Sequence, residues 1–235
     1  MTAAVKAVAK GPLAIEGRTK RFYEADRAEW FIQEFTDQTP QGQTVPGKGI
    51  WCAQVSAKLF QVLESKGIPT HFERVAAEGE ILVKRLAMIP LQVTIRNRVA
   101  GTMAKSLNLE EGAALAAPVF ELHYKAESLS NPLVNESHVL ALQWATEDEL
   151  KVIRERSTNV SLVLAKFFEE RAFELIDLTL EFGRFRGKVL LGDEISPDTL
   201  RLWERGMRPE RDLFHPEFRN AGSFYREIAA RVAED

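Results

Sequence analysis

The stretch from Leu175 to Arg205, LIDLTLEFGRFRGKVLLGDEISPDTLRLWER, decides how the rest of this chain is read. Ile176, Leu178, Leu180 and Phe182 alternate with Asp177, Thr179 and Glu181, the period of two expected of a strand with one buried face. Two carboxylates therefore share the polar face. Phe185-Arg186-Gly187 supplies a turn, and Lys188 to Gly192 is a short apolar run that can return as the second arm of a hairpin. The return brings Asp193 and Glu194 close to Glu181. Like charges at such range repel and raise one another's pKa unless a cation sits among them. Hard oxygen donors suit Mg²⁺, which is usually shared with substrate phosphates; a solvated acidic strand face is the other reading open here. Ser196-Pro197-Asp198 then marks a turn or a helix start, and Arg201 follows a turn later, offering a fork of donors to a phosphate or carboxylate.

Upstream of the hairpin, Thr146-Glu147-Asp148-Glu149 opens a long helix with a capping box, and Leu150, Ile153, Val160, Leu164 and Phe167 form its buried stripe. Pro118 to Lys125 reads as a strand and Asn131 to Glu136 as a loop. Arg96-Asn97-Arg98 followed by Gly101-Thr102 combines cations, a glycine that lets backbone approach and a hydroxyl, the parts of an anion pocket. Arg98 also reads as a structural ion-pair partner. Ile81 to Leu86 is a strand carrying Lys84, and Met88 to Ile95 continues it after a short break. Ile50 to Lys66 is a helix with Val55, Leu59, Val62 and Leu63 on one face and Gly67 at its stop. Trp30 to Phe35 is a strand, Thr36 to Gly49 a polar loop, and Leu13 to Tyr23 two strands around a tight turn at Gly17. Backbone N–H groups of that turn, with Lys20, suit phosphate oxygens. Met1 to Pro12 reads as a loose arm. At the other end Gly206 to Asn220 is a charged loop, and Ser223 to Val232 a helix with Ile228 and Val232 inward.

The 235 residues suffice for one large domain or two packed lobes, and 45% hydrophobic with 28% charged residues is ordinary for a globular chain. A net charge of -3 argues against a general nucleic-acid binder. Cys52 is the single cysteine, so no intrachain disulfide forms, and it reads as a buried inert thiol. No apolar run is long enough for a membrane span and no secretory leader is evident, so a cytoplasmic protein is expected. The four histidines lack metal-ligand spacing, and neither a Rossmann glycine motif nor a Walker A sequence occurs.

Asp177-Leu178-Thr179-Leu180-Glu181-Phe182-Gly183, then Gly192-Asp193-Glu194-Ile195-Ser196-Pro197-Asp198 and Arg201-Leu202-Trp203, resemble the C-terminal signature of the SAICAR synthetase family. The resemblance recurs, in the family's order, at Glu16-Gly17-Arg18-Thr19-Lys20, at Arg96 to Thr102 and at Asn131-Pro132-Leu133-Val134-Asn135-Glu136. It implies an α+β, two-lobed fold related in outline to kinases and ATP-grasp enzymes. Residues 1–87 would be a small antiparallel-sheet lobe covering ATP phosphates, and residues 88–235 a larger α/β lobe with the nucleotide-substrate and metal sites. The implied activity is an ATP-dependent, amide-forming ligation: the carboxylate of CAIR, a ribosyl-phosphate heterocycle, is activated as an acyl phosphate and joined to L-aspartate, giving SAICAR, ADP and phosphate. By the same resemblance Gly17, Arg18, Lys20, Lys84 and Met88 bind ATP, with Met88 equally readable as a core filler. Glu181 and Asp193 hold Mg²⁺ and, with Lys20 and Arg18, form the catalytic set. Arg96, Thr102, Ser196, Asp198 and Arg201 bind substrate. Small molecules are the expected partners, with no nucleic acid or membrane, and a homo-oligomer is left open.

The departures from the family pattern cluster at the reacting end. Arg18 replaces a lysine and Thr102 a serine, both keeping their donor. Thr179 replaces a lysine, Gln92 a glutamate and Asn131 an aspartate, while Gln38-Thr39-Pro40-Gln41-Gly42-Gln43 replaces an acidic, serine-containing loop. In the 206–220 loop the family's arginine run aligns either with Arg211 to His215 or with His215 to Arg219. Three readings follow: tolerated drift in the purine enzyme, a paralog acting on another heterocyclic acid or amine, as in C-nucleoside antibiotic biosynthesis, or a nucleotide-binding pseudoenzyme. Retention of Glu181, Asp193 and Lys20 weighs against the last.

Overall fold

The computed structural model describes residues 8–205 and 221–234. Two antiparallel sheets share the chain. The first is built from β1 (Leu13–Glu16), β2 (Lys20–Glu24), β3 (Trp30–Phe35), then, after helix α1 (Lys48–Ser65), β4 (Phe72–Ala77) and β5 (Glu80–Lys84), in the order β1-β2-β3-β5-β4. The second contains β6 (Ala87–Arg98), β7 (Ala114–Tyr124) and β8 (Leu133–Val134), with the short helices α2 (Thr102–Leu107) and α3 (Glu136–Ala141) between and after them. Helix α4 (Glu147–Glu169) leads into β9 (Phe173–Phe185), β10 (Lys188–Gly192) and β11 (Leu200–Glu204), and α5 (Ala221–Ala233) closes the described chain. The strand order is β10-β9-β6-β7-β8, with β11 paired to the first half of β9.

The larger lobe, expected as α/β, is antiparallel in every named strand pair, so α+β describes both lobes. A single parallel bridge, Thr70 to Leu191, joins the chain leading into β4 to the second sheet among the described residues. The strand β9 differs from its expected form in one respect. Its polar face is not solvated: Asp177 and Glu181 are buried, as are the apolar residues on the other face, because a cleft overlies the first face and α4 packs on the second. After β10, Ser196 to Thr199 is a turn, and the chain continues as a strand, not a helix, so Arg201 sits on β11 opposite Asp177.

Helix α1 starts where Asp37 accepts hydrogen bonds from the Gly47 and Gly49 amides, at 3.2 and 2.9 Å. Val55, Leu59 and Leu63 are buried on the expected face and Val62 is partly buried beside them, and Gly67 takes the left-handed conformation that ends the helix. The capping box of α4 is present, Thr146 accepting from the Glu149 amide and Glu149 from the Thr146 amide. Helix α5 packs on α1, so the last described element braces the first lobe. The expected loose arm is held from residue 10 onward: Lys10 pairs with Glu34 and Glu80, and the Gly11 amide donates to the Glu24 carbonyl. Residues 1–7 and the 206–220 loop lie outside the described residues. Among the described residues no helix is long and apolar enough to cross a membrane.

Candidate functional site

One face of the second sheet carries the site. On β9, Asp177, Thr179 and Glu181 point one way by strand alternation, and β6 sets Arg96, Thr94 and Gln92 directly opposite them. On the far side of β6, Glu121 and His123 of β7 pair with Thr94 and Gln92, and Lys125 continues their alternation. On the near side Gly192 of β10 pairs with Glu181, which delivers Asp193 and Glu194 to the end of the row.

The row has a cationic end. Arg96 donates to Glu121 at 2.8 Å, to Asp177 at 3.2 Å and to the Thr102 hydroxyl at 3.0 Å, which leaves its planar fork fixed by three partners. Arg201 lies 3.5 Å from Asp177 and 3.8 Å from Glu111. Gly101 makes this approach feasible: a Cβ there would stand 2.7 Å from the Arg201 guanidinium, and its φ of +56° is one that side chains resist. These groups border a cavity of about 270 Å³ whose other wall is Gln92, Thr94 and Thr179. The two threonine hydroxyls are 3.3 Å apart.

The opposite end is acidic, and each acid is capped by a lysine. Lys20, from the first sheet, lies 2.7 Å from Asp193 and from Glu194. Burial weighs against its charge, but Asp193, Glu194 and Glu181 outweigh that and hold its pKa above the usual lysine value. Lys125 lies 2.5 Å from Glu181, whose second oxygen accepts from the Gln92 amide at 3.1 Å. At Asp193 burial favours the neutral acid, yet Lys20 and Lys125 carry its pKa below the ordinary range; at Glu181 burial and the Asp193 charge win, and its pKa is raised. Asp193 has φ +61°, a conformation costing about 1 kcal/mol that Asp tolerates better than most residues. Its carbonyl accepts from Gln33 at 3.1 Å, and the buried ring of His71 donates to it as well.

Two buried oxygen donors of this kind fit a small divalent cation that shares its remaining positions with phosphate and water. A second cluster does not. Cys52, Glu194 and Asp198 present ligand atoms within 4.8 Å of one another, but Lys48 already lies 2.5 Å from Asp198, and burial raises the Cys52 thiol well above its usual pKa. That cluster is a self-neutralised core.

The other residues expected at the site are held by partners of their own. Asp198 is among the residues that line the cavity, and its side chain is 2% exposed: Lys48 holds one oxygen and the Tyr225 hydroxyl donates to the other at 2.5 Å. Burial and Glu194 push its pKa to about 6. Ser196 is buried and donates to Glu194 while accepting from the Asp198 amide. Arg18 donates to the Pro40 carbonyl at 2.6 Å, fastening the 38–43 loop to the β1–β2 turn, in which the Gly17 amide donates to Lys20. Arg98 is the ion-pair partner of Glu174, at 2.6 Å. Lys84 pairs with Glu73 and borders a larger cleft of about 510 Å³, shared with Thr70, Phe185 and Leu190. Phe185 and Leu190 lie on the same sheet face as Glu181, so this cleft extends the row past Gly183. Met88 is half-exposed against Gly183, where a Cβ would stand 3.0 Å from its sulfur. The sequence reading missed Lys125, Gln33, His71, Lys48 and Tyr225. For Lys125 a signal existed, the alternation of Glu121, His123 and Lys125 on an expected strand.

An anion grip and a pair of lysine-capped carboxylates, set along one face of the second sheet, define a class: enzymes that bring a nucleotide triphosphate and a second phosphorylated substrate together for phosphoryl transfer. Comparison with known proteins is more specific. The family model described as SAICAR synthetase matches residues 13–228. The phosphoribosylaminoimidazole-succinocarboxamide synthase of Desulfitobacterium hafniense is 42% identical over 232 residues, covering 96% of this chain and 98% of that protein. A solved SAICAR synthetase in complex with ADP superimposes with a TM-score of 0.89 at 35% identity, covering 95% of this chain and 98% of that one. The corresponding synthase from Ehrlichia chaffeensis gives 0.88 at 33% identity, covering 94% and 98%. The chain belongs to the SAICAR synthetase family and is, with it, an ATP-dependent carbon–nitrogen ligase.

Proposed function

We propose that the chain joins CAIR to L-aspartate, using ATP and releasing SAICAR, ADP and phosphate. The observation that carries this is the row on β9. From Asp177 to Glu181 four residue-to-residue steps span about 13 Å at about 3.3 Å each, the reach of a ribosyl phosphate with one heterocycle attached. Arg96, Thr102 and Arg201 take the phosphate, and the heterocycle's carboxylate then lies near Thr179, beside the acids. The adenine end of ATP lies at the connection between the lobes, along Lys84 and Met88, with its phosphates running toward Lys20 and the Gly17 turn.

A carboxylate is a poor electrophile, so it must be activated. Its oxygen bonds to the γ-phosphorus, the bond from that phosphorus to the β,γ-bridging oxygen breaks, and the electron pair leaves on ADP. The neutral aspartate amine then attacks the acyl carbon, inorganic phosphate departs with the bonding electron pair, and the surplus proton on nitrogen passes to water. No side chain acts as a covalent nucleophile. Lys20 holds Asp193 in place and offers charge to the phosphates, Gln92 orients Glu181, and Gln33 and His71 fix the Asp193 backbone. Glu181 and Asp193 would hold a magnesium ion, which would supply positive charge against the phosphates. A cytoplasmic setting, in which Cys52 stays reduced, accords with this role.

The test is ADP release by the purified protein with MgATP and CAIR, with and without L-aspartate, the product being weighed by mass spectrometry. Aspartate-dependent SAICAR at a turnover on the order of 1 per second or faster is expected. Bound nucleotide with no SAICAR overturns the substrate assignment and directs the screen to other heterocyclic carboxylates and amines.

A further inference from the structure

We propose that Lys125 is a catalytic cation with two stations: it caps Glu181 while that carboxylate holds no metal ion, and it turns to the oxygens of the phosphoryl group in transfer when Glu181 takes one. The inference rests on the ligase reading above. Between the Arg96–Arg201 grip and Lys20, the site faces of β6 and β9 carry Gln92, Thr94 and Thr179, which are neutral. Negative charge gathers there in the reaction, because a carboxylate oxygen and a phosphoryl group must meet, and preorganised charge at such a point is a large catalytic term. On the same face of the neighbouring strand, next to His123, stands Lys125.

Its geometry differs from that of Lys20. The Lys20 side chain is 14% exposed and bridges two acids, so it is fixed. The Lys125 side chain is 39% exposed and has Glu181, itself 5% exposed, as its partner. Gln92 holds the other Glu181 oxygen, so the carboxylate stays oriented when the lysine leaves. A lysine carries a compact charge on a flexible four-carbon stem, suited to swinging between two anions without changing protonation. In this role Lys125 donates hydrogen bonds and transfers no proton.

Two measurements on Lys125→Gln separate this role from a structural one. Losing a competitor for Glu181 lowers the Mg²⁺ concentration that half-saturates ADP binding, by about threefold for a partly exposed pair, while losing the cation in transfer lowers kcat by about 100-fold. Lys125→Arg keeps the charge and restores part of kcat. ADP binding is read by calorimetry over a magnesium series, kcat by ADP release. A variant that needs more Mg²⁺, or keeps its kcat, overturns the proposal. Should the wild-type protein show no turnover with CAIR and aspartate, the ligase reading fails by itself, and the Mg²⁺ series still decides whether Lys125 competes for Glu181.

Discussion

Gly101 is where the anion grip is most sensitive to a single atom. With φ +56° and 2.7 Å between a built Cβ and Arg201, alanine there is strained and displaces the guanidinium. Losing one charge-assisted contact of about 1.5–3 kcal/mol raises KM for the ribosyl-phosphate substrate about 10-fold to 100-fold in Gly101→Ala. KM for ATP should hold, since Lys20 and the Gly17 turn are untouched. Initial rates at varied concentrations of each substrate check this; equal rises in both constants would mean the lobe had shifted, not the arginine. In the sequence Arg96 and Thr102 read as parts of an anion pocket because cations, a glycine and a hydroxyl stand together between them, whereas Arg201 joined them only through the family resemblance. Asp198 was legible as chemistry but not in its partners. Nothing local announces that Lys48, 150 residues earlier, and Tyr225, on the last helix, take both its oxygens.

Elements with a strong local signature read true. The β9–β10 hairpin follows from alternation plus the Arg186-Gly187 turn, both residues in the left-handed region the turn demands. Helix α4 follows from its capping box and stripe. Replacing Thr146 by alanine removes the acceptor for the Glu149 amide and lowers stability by about 1 kcal/mol, readable as a smaller urea midpoint with unchanged slope. Because α4 packs on the face of β9 opposite the site, kcat should be retained. The Glu149 carboxylate, held by Arg184 to a pKa of about 2, keeps its half of the box above pH 4.5 and loses it only as the pH falls toward 2. Long-range pairing was less legible. β6 runs unbroken from Ala87 to Arg98 although Pro90 lies within it, and β7 begins at Ala114, where small residues carry no alternation. β11 follows a Ser-Pro-Asp turn that reads as a helix start, because β9 extends past β10 and offers a free edge from Phe173 to Leu178.

At the scale of the molecule the two sheets are fastened at the site itself. Lys20, Gln33, Ser56 and His71 of the first lobe all bond to residues 191–195 of the second. His71 is the acid-sensitive member of this joint. Its amide donates to the Leu191 carbonyl at 2.8 Å, its ring packs edge-on to Phe60 at 5.1 Å, and burial lowers its pKa from 6.5 to about 3. The sign follows from counting protons. Below about pH 6.5 the unfolded chain protonates this histidine and the native chain does not, so native stability is full above that pH and falls as the pH drops toward 3. The slope from this group approaches about 1.4 kcal/mol per pH unit over the middle of that window. Denaturant midpoints measured in metal-free buffer at pH 7.5, 6, 5 and 4 should decline more steeply for the wild type than for His71→Gln, which cannot take up the proton and whose amide can still donate to the Asp193 carbonyl. The variant starts less stable at pH 7.5, having lost the ring contact with Phe60, and the two curves converge as the pH falls. Parallel curves would mean that the native chain takes up the His71 proton as readily as the unfolded chain, and that carboxylates held below their usual range, Asp193 among them, set the acid limit of the joint.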